Sequence, residues 1–101
     1  FVNQVVAAAA ATDEQTWQLP LERKYRSAID SYIADMKNVG GEAGAITAAL
    51  FLDEFTSGLP WAHIDIAGTA FSTSPSHYTP KGGTGVGVRL TLEFLRQYIN
   101  G

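Results

Sequence analysis

The chain has 101 residues, of which 46% are apolar and 17% charged, with a net charge of −3 and no cysteine. That balance excludes a disordered polymer, which lacks the apolar surface to offset its own entropy, and it excludes a disulfide framework or a thiolate metal site. Basic residues are dispersed apart from Arg23, Lys24 and Arg26, so the electrostatic footprint that nucleic acid requires is missing.

In chain order, residues 2–12 read as a helix of Val and Ala. Alanine is the best helix former, and its small side chain permits a close neighbour. The chain starts at Phe1 without a Met and enters this helix with no capping signal, which we read as a chain cut inside a larger domain. Leu19-Pro20 breaks the pattern, because the residue before proline is pushed out of the α region. Pro20 then opens a short helix to about Ile29, with Leu21, Tyr25, Ala28 and Ile29 on one face.

Asp30 to Gly41 reads as a connector with turn chemistry at Asn38 to Gly41, where Gly40 and Gly41 are free to take positive φ. A helix from about Glu42 to Phe55 is apolar nearly all round, the pattern of a helix buried on most sides. A chain of this size has difficulty surrounding it. Trp61 to Ile66 reads as the one clear strand, with His63 and Asp65 on one side. Residues 69–85 form a long loop of Ser, Thr, Pro and Gly. The last helix runs from about Val86 to Ile99, with an apolar stripe of Val88, Leu92, Leu95 and Ile99, broadened by Val86 and Phe94. No apolar run approaches the roughly 20 residues that span a bilayer, so no membrane partner is expected.

Several groups are candidates for chemistry, each with a plainer structural role beside it. His63 and Asp65 form an imidazole–carboxylate pair of the kind that orients a proton or begins a metal site. The plainer role is a buried polar pair, since a metal needs more ligands and the only other histidine is His77. Asp30 and Asp35 are read as loop carboxylates rather than an acid–base pair. Asp53-Glu54, near a helix C-terminus, is read as a solvated corner. Gly82-Gly83-Thr84-Gly85 precedes a helix as an anion-binding loop does. It lacks the Walker and dinucleotide patterns, so a tight turn with close helix packing is expected. Ser72, Ser74 and Ser76 near His77 lack a nucleophile elbow.

Trp61-Ala62-His63-Ile64-Asp65-Ile66-Ala67-Gly68 resembles the Trp-Ala-His-x-Asp-Ile-Ala-Gly stretch near the C-terminus of the leucyl (cytosol) aminopeptidases. Trp17-Gln18-Leu19-Pro20-Leu21 with Tyr25, Ser31 to Asn38, Ala43 to Leu52, and Gly82 to Leu95 resemble further stretches of that family in the same order. The family's Asn-Thr-Asp-Ala-Glu-Gly-Arg motif and its Lys and Asp metal ligands lie upstream of the matched region and do not occur here. No catalytic or metal-binding residue is therefore carried over.

The resemblance implies an α/β fold: residues 1–101 would be the incomplete C-terminal piece of a mixed-sheet, three-layer metallopeptidase domain, mostly helical with one clear strand. It implies a hydrolase that removes N-terminal, leucine-like residues from peptides with metal-activated water. Its cofactors would be two divalent metal ions, zinc or manganese, in the parent and none in this segment. Its partners would be the remainder of the catalytic domain, the peptide substrate and other copies in a hexamer, and its location cytoplasmic. Ala67, Gly68 and Ala70 fall on the stretch that borders the family's side-chain pocket, with Ala70 where some relatives carry a larger Met. The isolated chain is expected to be inactive. The alternative is a non-catalytic packing or oligomerisation module that covers its apolar helix by self-association.

Overall fold

Alanine-rich and leucine-rich runs set the helices, and glycine and proline set their ends. The computed structural model describes residues 1–76 and 79–101. Its elements are α1 (Val2–Ala11), a 3₁₀ helix (Arg23–Ile29), α2 (Gly44–Asp53), β1 (Phe71–Ser72), β2 (Gly82–Gly83) and α3 (Val88–Asn100). They divide into two compact units, Phe1–Trp17 with Ile64–Gly101, and Gln18–His63. The result is a mixed α/β piece, about 40% helical with one small two-stranded antiparallel sheet, in line with the α/β class that the resemblance implied.

In the first unit, α1 packs on α3. Ala8 and Ala9 are buried, as is Leu90 of α3. The Phe1 ring meets Phe94 edge-on at 5.4 Å between centroids, and Phe94 stacks on Tyr98 at 6.1 Å. Helix α1 ends where the Thr12 hydroxyl donates back to the Ala8 carbonyl at 2.9 Å and Asp13 turns to positive φ, 57°. That turn aims Glu14 at the start of α3.

Leu90 and Phe94, spaced one turn apart, face α1. The apolar stripe of Val88, Leu92, Leu95 and Ile99 lies open: all four are exposed. Helix α3 is thus apolar on two sides, and α1 covers one of them.

In the second unit, the 3₁₀ helix packs on α2. Ile29, Thr47, Ala49 and Leu50 are buried. The short helix starts at Arg23, not at Pro20, because the Glu22 side chain accepts from the Lys24 N–H and serves as the cap. Gly41 takes the expected positive φ, 73°. Gly40 is needed for a different reason: a Cβ there would meet the Thr47 side chain at 2.8 Å. Among the described residues α2 is covered on one side, and Leu52, with Phe55 just past its end, is exposed.

Two other expectations change. Trp61 to Ile66 is not a strand among the described residues. An extended segment becomes a strand only by pairing, and none of the described residues supplies a neighbouring edge. Residues 69–85 are not structureless either: Phe71 pairs with Gly83 and Ser72 with Gly82 in an antiparallel ladder, followed by a bridge between Ser76 and Thr79. His77, one of the candidates above, lies outside the described residues.

Candidate functional site

The segment that carries the expected pocket residues is a turn stapled on both sides. Asp65 accepts the Ala67 N–H at 2.9 Å, a carboxylate closing its own backbone two residues on. The Ile66 carbonyl accepts from the Thr69 and Ala70 N–H groups at 3.0 and 2.8 Å, completing one helical turn. Asp65 is exposed and spends its carboxylate on this turn, so the buried His63–Asp65 pair expected from a strand is not formed as such. Ala67 and Gly68 are exposed and Ala70 is half-buried. The space beside Gly68 is open, with nothing within 4 Å of where a Cβ would stand. Close backbone approach, the expected reason for that glycine, is not met by any described neighbour in this chain.

Thr84 fastens the other side of the turn. Its N–H donates to the Ala70 carbonyl at 2.9 Å and its hydroxyl donates to the Thr69 carbonyl at 2.6 Å. The same oxygen accepts the Val86 N–H at 3.3 Å. Gly85 and Gly87 then take positive φ, 70° and 93°, and the chain enters α3. The glycine loop is therefore a tight turn, as expected, and it includes β2; the close packing also expected is not met among the described residues, since a Cβ at Gly82, Gly83, Gly85 or Gly87 would have nothing within 4 Å.

The anion at the start of α3 is a side chain. Glu14, 7% exposed, accepts from the Gly87 and Leu90 N–H groups at 3.1 and 3.0 Å. It also lies 3.6 Å from the Arg89 guanidinium. A carboxylate at a helix N-terminus satisfies orphan donors and complements the helix dipole. Glu14 is not among the candidates that the sequence offers, and Thr84 is there only as one residue of the glycine loop. Glu14 reaches α3 across more than 70 residues, a distance no local pattern reports. Thr84 had one local signal, a hydroxyl residue among glycines that bonds its own backbone two residues on.

Asp53 and Glu54 are not the solvated corner expected of them. Asp53 accepts the Trp61 indole N–H at 3.0 Å and pairs with Arg23 at 2.7 Å. The hydrogen bond from Arg23 holds the Asp53 carboxyl below its ordinary value of 3.8; desolvation opposes this and the Trp61 bond reinforces it. Arg26 bridges Glu54 and Asp30, both at 2.9 Å. Asp30 is thus a structural ion-pair member, and Asp35 is exposed. Among the described residues no group of three or more His, Cys, Asp or Glu converges to hold a metal. The described residues therefore do not fit a metal centre of their own.

The family described as the cytosol aminopeptidase family, catalytic domain, matches residues 1–92. The chain belongs to that family. It is 55% identical over 100 residues to a probable cytosol aminopeptidase of Roseiflexus castenholzii, covering 97% of this chain and 20% of that protein. A probable cytosol aminopeptidase of Syntrophotalea carbinolica is 53% identical over 98 residues, covering 96% of this chain and 20% of its own length. The chain thus spans about one fifth of these relatives. Among solved structures, the bottromycin maturation enzyme BotP is 40% identical with a TM-score of 0.91, covering 99% of this chain and 23% of that one. The same enzyme in complex with Mn gives a TM-score of 0.88 at 40% identity, covering 96% of this chain and 22% of that one. The resemblance read from the motifs at Trp17 and Trp61 is the family to which the chain belongs. Among the described residues no helix is long and apolar enough to cross a membrane.

Proposed function

We propose that this chain is the C-terminal part of the catalytic domain of a metal-dependent aminopeptidase, and that it forms the rim of the substrate pocket. Membership in the family supports the reaction class, release of N-terminal residues from peptides. The metal ions, manganese on the strength of the Mn-bound relative or zinc, are held by residues of the parent outside this segment. No catalytic group is assigned to this chain, and it is inactive alone. The parent acts on leucine-like N-terminal residues, as a hexamer, in the cytoplasm.

The observation that carries the pocket reading is the turn at Ile66 to Ala70. It is fixed by six hydrogen bonds, from Ala67, Thr69, Ala70 and Thr84, with Thr69 and Thr84 each giving two of them, yet it leaves Ala67 and Gly68 open. A fixed backbone with small side chains facing outward is what a side-chain pocket needs at its edge. Helix faces left uncovered on α2 and α3 agree with a chain that packs against the remainder of its domain.

In the full-length enzyme that carries this segment, hydrolysis of leucine amide is expected to require added metal and to stop with chelator. Ala70→Met is expected to lower the ratio of kcat/KM for leucine amide over alanine amide by about tenfold, the scale of a methylene-sized misfit in an apolar pocket. An unchanged ratio would remove Ala70 from the pocket. The exposed stripe on α3 favours a second reading, an oligomerisation module, in which that stripe is covered by another copy.

A further inference from the structure

We infer that Thr84 is a positioning residue for substrate selectivity: its side chain and amide lock the Ala67–Ala70 turn to the start of α3. The inference rests on the pocket reading above and goes beyond it, because Thr84 lies outside the turn.

Three bonds meet on this residue. The amide holds the Ala70 carbonyl, the hydroxyl hydrogen goes to the Thr69 carbonyl, and the hydroxyl lone pair takes the Val86 N–H. A hydroxyl is the smallest side-chain group that donates and accepts at once. Valine has the same shape and does neither. The far end of the clamp is itself fixed, because Glu14 holds the Gly87 and Leu90 amides. On the near side, the residue after the turn, Phe71, pairs with Gly83, so the backbone before Thr84 is tied to the turn and the backbone after it to Glu14. Loss of the hydroxyl frees the Thr69 carbonyl and lets the turn shift relative to α3, while the Ala70–Thr84 backbone bond and the β1–β2 ladder persist. The position of Ala70, not its identity, then changes.

The effect falls on substrates whose side chain reaches the rim. The test is steady-state hydrolysis of leucine amide and alanine amide by the full-length enzyme with Mn²⁺, for the parent, Thr84→Val and Thr84→Ser, with Ala70→Met alongside. Thr84→Val is expected to raise KM for leucine amide about tenfold and for alanine amide about twofold or less, the size of one lost hydrogen bond felt mainly by the larger side chain. Thr84→Ser keeps the hydroxyl and is expected to restore the parent ratio. Equal effects on both substrates, an unchanged ratio in Thr84→Val, or failure of Thr84→Ser to restore it would overturn the inference. Should Thr84→Val not fold, the serine variant and Thr84→Ala carry the same comparison. If Ala70→Met shifts the ratio and the Thr84 variants do not, only this inference falls. If none of them shifts it, the pocket reading falls as well.

Discussion

Glu14 and Asp53 are carboxylates that close structure at a distance in sequence, and they do so differently. Glu14 is buried and satisfies two amides that the start of α3 leaves without intrahelical partners. Glu14→Ala is expected to destabilise the chain by about 2 kcal/mol, the scale of hydrogen bonds to a charged group, and Glu14→Gln by about half of that. Urea midpoints check both, and equal stability of the alanine variant would mean the amides find other acceptors. Asp53 is held in its charged form by Arg23. A carboxyl lowered on folding contributes stability fully above its unfolded value of 3.8 and loses it as pH falls through the lower folded value. Arg23→Ala is therefore expected to move the Asp53 midpoint upward toward 3.8, read by carboxyl-carbon titration. A midpoint that stays put would assign the shift to Trp61 and Thr56 instead. Neither role was legible in the sequence: an acidic residue near a helix end looks alike whether solvated or bonded, and only packing tells them apart.

At the scale of elements, the helices were legible because their signals are local. Alanine content gave α1, the apolar run after Gly41 gave α2, and the 3–4 spacing before Gly101 gave α3. What failed was whatever depends on a partner. The Trp61 to Ile66 segment has the composition of a strand but no paired edge among the described residues, and the Ser/Thr/Pro/Gly segment has the composition of a loop but forms β1 and β2. The α3 stripe was legible as apolar, but not that it would lie open while Leu90 is buried. In the 101-residue chain, the amides of His63, Ile64 and Ile66 are expected to exchange with solvent far faster than those of Leu90 to Phe94. In the full-length enzyme the former are expected to slow, as pairing to a neighbouring strand would require. Slow exchange in the short chain would mean a partner exists within it.

For the whole molecule, the family was legible because the motifs at Trp17, Trp61 and Gly82 stand in a fixed order, and the chain belongs to the cytosol aminopeptidase family. The candidate site was legible only through that resemblance. Ala67, Gly68 and Ala70 have no reactive groups, and their interest lies in a turn whose fastening by Thr84 no spacing announces. Among the described residues no metal-ligand cluster gathers, and under the proposed function the chemistry belongs to the remainder of the catalytic domain. The measurement that tests this account most directly is hydrolysis of a chromogenic leucine amide by the purified 101-residue chain, with Mn²⁺ or Zn²⁺ and with chelator as control. The account predicts no turnover above the metal-only background, and activity only when the remainder of the catalytic domain is present. Metal-dependent turnover by the chain alone, abolished by chelator and by His63→Ala, would contradict it and place a complete active site within these residues.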